Sequence, residues 1–175
     1  MAGHSRSLEL SGVVLLAAVL AGCGGDRTGG GDAAFAEVQA RGESAMGVDQ
    51  YTSSHVFESL PDGGRIVLQR DVADSAGTEV IRAHMRHIAS AFARGDFALP
   101  GFVHAREVPG TAVMTDRRDA ITYTADTLPR GGQLRIRTSD PEAVRAIHQF
   151  LAFQRADHRA AGHAHDTGAA GPDLR

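Results

Sequence analysis

The sequence predicts an α+β fold: a duplicated ββα unit forming a four-stranded antiparallel sheet with two helices on one face. Three observations predict it. Two turn sequences, Leu60-Pro61-Asp62-Gly63-Gly64 and Leu128-Pro129-Arg130-Gly131-Gly132, each lie between strand-like segments. Each hairpin is followed by a segment whose apolar residues recur at helical spacing. Leu60–Ile66 also matches Leu128–Leu134 at an offset of 68, and Ile81-Arg82-Ala83 matches Val144-Arg145-Ala146 at an offset of 63. On this alignment the first unit carries a five-residue insertion before its helix.

The chain opens with His4 and Arg6 ahead of an apolar run, Val13 to Leu20. That run is shorter than the roughly 20 residues a bilayer span needs. It suits the core of an export signal with a weakly positive start, although Glu9 departs from the usual acid-free front. Leu20-Ala21-Gly22-Cys23 follows at once. This tetrapeptide resembles the lipobox of bacterial lipoproteins. The resemblance implies that residues 1–22 are removed, that Cys23 receives a diacylglycerol on its sulfur, and that its amine usually gains a third acyl chain such as palmitate. Two or more chains anchor stably, at about 0.8 kcal/mol per buried CH₂. The implied partner is therefore the membrane, through lipid on Cys23. Gly24 resembles the default for outer-membrane sorting. The expected address is the periplasmic face of the outer membrane in a two-membrane envelope, or the outer face of the cytoplasmic membrane otherwise.

Residues 23–46 read as the lipidated cysteine, a Gly-rich flexible tether over 24–31 and a short helix. Asp32 caps that helix, Ala33 to Arg41, and Gly42 lies just past its end. It is either a docked arm or a marginal helix. The folded domain spans 47–159. His55 to Leu60 reads as a strand, and Arg65 to Arg70 returns with Ile66 and Leu68 on one face. A helix runs from about Glu79 to Arg94, where Gly95 stops it, with Ile81, Met85, Ile88 and Phe92 as its stripe. Residues 95–119 show no clear period. Such a length is uncommon for a loop, so this one either contributes to a site or hides a short strand near Ala112 to Met114.

In the second hairpin Ile121 and Tyr123 alternate with Thr122 and Thr124, and Leu134 and Ile136 with Arg135 and Arg137. Asp140-Pro141-Glu142 starts a helix that reaches about His158, with Val144, Ile147 and Leu151 as its stripe. The open sheet face, with Thr122, Thr124, Arg135 and Arg137, is either simply solvated or a docking surface for an anionic partner. Residues 160–175 read as a disordered tail carrying His163-Ala164-His165-Asp166.

Met46–Gln50, Thr52–Phe57, Ile81–His84, His87–Ala89, Gly95–Phe97, Phe102–His104 and Ala146–Leu151 resemble a family of small bacterial proteins without assigned chemistry. Some of them carry the name aspartate carbamoyltransferase. The resemblance covers about residues 40–158. That enzyme's pattern includes a longer two-domain chain and a Ser-Thr-Arg-Thr phosphate loop. This chain has Arg137-Thr138-Ser139 at a strand end, so the resemblance implies a fold-sized unit and no reaction.

Composition narrows the function. The 175 residues carry a net charge of −3, which argues against general nucleic-acid binding. All 18 basic residues are Arg, and Cys23 is the only cysteine, so the fold rests on packing without an internal disulfide. There is no Gly-x-Ser-x-Gly elbow, no His-Glu-x-x-His and no phosphate loop. A His/Asp acid–base pair stays open.

The nine histidines are the main candidates. His84 and His87, three apart on a helix, sit about 60° apart around its axis. Together with His104 in the long loop they make the candidate set for a divalent metal, against a reading in which they merely border the core. His55, His148 and His158 are candidates for a pocket, His148 falling on the core stripe at the place of Met85. The expected function is a lipid-anchored, non-catalytic binding domain that takes a metal or small ligand through histidines. The alternatives are an interaction module for an envelope protein, with no ligand, and an enzyme of unknown class.

Overall fold

The structure, a computed structural model, describes residues 27–160, and side chains from residue 31 onward. The signal 1–22, Cys23 and the tail histidines His163 and His165 lie outside the described residues. The elements run in order α1 (Arg27–Met46), a 3₁₀ turn (Gln50–Thr52), β1 (Ser53–Leu60), β2 (Gly63–Arg70), α2 (Ser75–Ala93), α3 (Ala98–His104), α4 (Thr111–Asp116), a second 3₁₀ turn (Arg118–Ala120), β3 (Ile121–Leu128), β4 (Gly131–Thr138) and α5 (Pro141–Asp157). The fold is α+β, with a four-stranded antiparallel sheet in the order β1-β2-β4-β3.

Alternation decides which side of the sheet is buried. Across the strands Phe57, Ile66, Leu134 and Ala125 line up in one row, and the next row holds Glu58, Arg65, Arg135 and Thr124 on the opposite side. Phe57, Ile66, Leu68, Ile121, Leu134 and Ile136 are buried. Side chains of α2 and α5 pack against the sheet. A Cβ on Gly132 would lie 3.1 Å from Met85 Cγ, and one on Gly64 would lie 2.1 Å from Leu151 Cδ1. Glycine at these two sheet positions is what lets the helices seat so closely.

The helices start where the sequence caps them. Asp74 accepts from Gly77 N at 3.0 Å, and Asp140 accepts from Glu142 N at 2.8 Å, with Pro141 at the first helical position. Each such cap is worth about 1 kcal/mol. In α2 the expected stripe Ile81, Met85, Ile88 and Phe92 is buried. In α5 the buried face holds Ile147 and Leu151 but is completed by Ala143, Ala146, Phe150 and Gln154, with Val144 only half-buried.

Two expectations need correction. The N-terminal helix is longer than Ala33–Arg41: α1 begins at Arg27, within the stretch read as tether, and runs through Gly42 to Met46. Gly42 is buried, and its Cα side faces Gln50, whose Oε1 would lie 3.1 Å from an added Cβ. A small residue there is a docking feature, not a stop. The segment 95–119 holds two short helices, α3 and α4, and no strand. Val103 of α3, Met114 of α4 and Val108 in the link between them pack singly into the core, which is why no period was visible. Helix α1 docks on the body through buried Val38 and through Arg41 Nε donating to Val103 O at 2.7 Å.

Candidate functional site

A cavity of about 90 Å³ lies where α1, α2, α3, β1 and the end of α5 meet. Each element delivers its wall residues for a local reason. The alternation of β1 turns His55 and Phe57 inward, beside Ile66 and Leu68 of β2. His84 sits next to Met85 at the edge of the α2 stripe. The last turn of α3 brings His104, and α5 ends by presenting Gln154 and the C-cap residue His158. The 3₁₀ turn presents Gln50, and Gly42, Ala45 and Met46 of α1 form the roof.

Three rings in the wall are nearly parallel. His55 and His158 lie 5.4 Å apart between centroids at 14°, Phe57 and His158 at 5.5 Å and 26°, and His55 and Phe57 at 6.1 Å and 15°. His104 meets His158 edge-on, at 5.1 Å and 84°.

Burial sets the charge state of the wall. It pushes the His55 imidazole down to about 4, helped by nearby His84. It pushes His84 down to about 4, helped by His87. It pushes His158 down to about 3, helped by His55 and His104 and opposed by Asp157. These three imidazoles are therefore uncharged at neutral pH, because a charge in so dry a place is expensive.

His104 differs. Its Nδ1 lies 2.5 Å from Asp157 Oδ2 and its Nε2 lies 2.8 Å from Gln154 Oε1. Arg106 donates to the other oxygen of Asp157 at 2.6 Å. Both ring nitrogens are engaged, so His104 offers the cavity no free lone pair for a metal or a substrate proton. Two other polar atoms are unsatisfied. Gln50 Oε1 and His158 Nδ1 are buried without a hydrogen-bond partner among the described residues. Gln50 is only 3% exposed, and its amide nitrogen donates to Val48 O at 3.3 Å, which fixes the oxygen on the other side.

The cavity regroups the residues that the sequence singled out. His84 and His104 come together with His55 and His158. His87 does not join them: it is exposed on α2. His148 is not on the core stripe and lines no part of the cavity; it is half-buried, with Nε2 2.9 Å from Leu60 O. Among the described residues no three His, Cys, Asp or Glu side chains are arranged to hold a metal. Sequence reasoning missed Gln50 and Gln154, because a lone glutamine carries no motif. The wall includes no Ser, Thr, Cys, Asp or Glu, so its imidazoles are its only groups able to act on a bound molecule.

A second, wider depression of about 420 Å³ lies between α1 and the end of α5. Its arginines are each paired: Arg41 with Glu37, Arg106 with Asp157 and Arg159 with Asp32. It is balanced in charge and open. Among the described residues no helix is long and apolar enough to cross a membrane. No protein-family model, curated protein or solved structure matches the chain.

Proposed function

We propose that this chain is an envelope lipoprotein, anchored through Cys23, whose domain binds a small molecule in the histidine-walled cavity and does no chemistry on it. The observation that carries this reading is the pair of unsatisfied buried atoms, Gln50 Oε1 and His158 Nδ1, beside a cavity. Leaving a buried polar group without a partner costs about 1–3 kcal/mol, and a ligand that supplies the partner recovers that cost. The wall has imidazoles but no hydroxyl, thiol or carboxylate to work with them, which favours binding over catalysis. The occupied nitrogens of His104 and the exposure of His87 disfavour the His84/His87/His104 metal set.

The test is histidine-ring NMR on the mature chain, residues 23–175 with Cys23→Ser. Small uncharged organic fragments should shift the His55 and His158 ring signals saturably, and Ala45→Phe, which fills the roof, should abolish the shifts. If no fragment acts but Zn²⁺ or Cu²⁺ binds stoichiometrically, the cavity is a metal site. If neither acts, the interaction-module reading replaces this one, with the sheet face carrying Thr122, Thr124, Arg135 and Arg137 as its surface.

We also read the fold as a duplicated ββα unit, with α2 and α5 as the two helices on one sheet face. The hairpins support this, since β1 and β3 begin at Ser53 and Ile121, 68 apart, as do β2 and β4 at Gly63 and Gly131. The central pair Ile66↔Leu134 joins equivalent residues, as a local two-fold axis between β2 and β4 requires. Close contacts recur across that axis: a Cβ on Gly63 would meet Ile136 O at 2.4 Å, and one on Gly131 would meet Leu68 O at 2.0 Å. The helices correspond at an offset of 66, not 63, by their caps Asp74 and Asp140. That offset pairs Met85 with Leu151 and Arg82 with His148. Arg82 donates to Leu128 O at 2.7 Å while His148 lies 2.9 Å from Leu60 O, equivalent carbonyls at the ends of β3 and β1. The insertion in the first unit is thus two residues rather than five.

A further inference from the structure

We infer that the occupant of the cavity is a small, uncharged, planar ring bearing one O–H or N–H donor, which lies along the His55–Phe57–His158 rings and donates to Gln50 Oε1. This rests on the small-ligand reading above and specifies the ligand class.

Four observations on the wall narrow that class. The first is charge. With His55, His84 and His158 neutral, and His104 already paired with Asp157, the wall has no free charge to offer an ionic ligand. A buried ion without a partner is strongly disfavoured. The second is shape. His55, Phe57 and His158 are stacked on one another in the wall, and a planar ring that extends this stack gains about 0.5–1.5 kcal/mol beyond burial. A puckered ring gains the burial but not the stacking. The third is size. At about 90 Å³ the cavity is smaller than the roughly 150 Å³ that holds benzene in a closed protein cavity. The cavity therefore encloses a single ring only in part, with one edge left outside, and a fused two-ring system less still. The fourth is polarity. Gln50 Oε1 is an acceptor whose own amide nitrogen is engaged, so what it lacks is a donor. A ligand carrying only acceptors leaves it unsatisfied. His158 Nδ1 is the other unpartnered atom, and as a neutral imidazole nitrogen it can adapt its tautomer to either role.

Isothermal titration on the mature chain, residues 23–175 with Cys23→Ser, at pH 7.5 tests the inference. The probes are phenol, toluene, cyclohexanol, benzoate and benzylamine. Phenol stays uncharged at that pH, since a phenolic hydroxyl titrates near 10. Phenol should bind about ten-fold more tightly than toluene or cyclohexanol, the size of one buried hydrogen bond or one stack. Benzoate and benzylamine should bind most weakly. Gln50→Met should bring phenol to within about two-fold of toluene, a change in their ratio that general loosening of the domain would not give. Equal affinities for phenol and toluene in the unsubstituted domain would overturn the donor claim and leave the small-ligand reading standing. Tightest binding by benzoate or benzylamine would overturn the claim of an uncharged ligand. Equal binding of cyclohexanol and phenol would overturn planarity. If none of the five binds, the inference and the small-ligand reading fall together. Should Gln50→Met not fold, the comparisons in the unsubstituted domain still decide the matter.

Discussion

Histidine 158 concentrates the conflict between stability and binding in this domain. It is stacked on two rings, half-buried, and left with a buried, unsatisfied Nδ1. His158→Phe keeps a ring in the stack and removes the orphaned atom, so it should raise stability at pH 7 by about 1 kcal/mol while weakening ligand binding. The histidines also set a pH dependence. In the unfolded chain they titrate near 6.5, whereas in the fold His55 and His84 titrate near 4 and His158 near 3. Below 6.5 the unfolded state takes up protons that the folded state refuses. Stability is therefore full above that pH and falls as pH drops through the window from 6.5 toward 4. The slope is up to about 1.4 kcal/mol per pH unit for each imidazole. Asp62 and Asp140, held low respectively by Arg135 and by the Glu142 amide, also lose their contributions on acidification, but only below about 3.8. Denaturant unfolding from pH 8 to 4.5 should show the loss, and His158→Phe should make it shallower. A flat profile over that range would mean that these imidazoles are not held neutral. The sequence singled out His84 through its three-residue spacing from His87, and His84 does line the cavity. It misled at His87, since a step of three residues turns the side chain a further 60° from the stripe, into solvent.

At the scale of elements, the hairpins and the two main helices were legible because each rests on a local signal: turn glycines, an alternating strand, a cap, a stripe. The helices α3 and α4 were not, because each contributes only one or two apolar residues to the core and has no side-chain cap. The N-terminal helix was read too short, since Gly42 looks like a terminator until Gln50 is seen beneath it. The glycines give a direct test of what was legible. Gly131 pairs β4 to β2 so closely that an added Cβ would lie 2.0 Å from Leu68 O and 2.9 Å from Gln69 Cα, both backbone atoms that cannot step aside. Gly131→Ala should therefore cost at least about 2 kcal/mol, in the range of strained or overpacked sites. Gly101, inside α3, is the control: its nearest neighbour would be Arg106 O at 3.8 Å. Gly101→Ala should stabilise by roughly 0.5–1 kcal/mol through helix propensity. Thermal unfolding of the two variants checks both signs. A mild Gly131→Ala would mean that β2 and β4 are not so tightly paired.

For the molecule as a whole, the position of α1 relates the proposed anchor to the cavity. The helix starts at Arg27 and ends at Met46 in the cavity roof. Cys23 precedes it by four residues, a reach of about 14 Å even when fully extended. If Cys23 carries lipid, the outer end of α1 is held at the bilayer surface while its inner end covers the ligand. The anchor and the roof are then two ends of one rigid rod about 30 Å long. Two results should follow. Cys23→Ser should move the chain from the membrane to the soluble fraction on cell fractionation. Inserting a flexible Gly/Ser segment between Cys23 and Arg27 should leave membrane association intact, because the acyl chains alone supply it. The same insertion should leave phenol affinity unchanged in detergent-free, unlipidated protein, since α1 docks on the body through Val38, Arg41 and Gly42 and not through the anchor. Retention of the Cys23→Ser chain in the membrane fraction, even after a high-salt wash, would remove the lipid from the account. The domain itself would then have to supply the contact with the envelope, and the exposed sheet face with Arg137 would be the first surface to substitute.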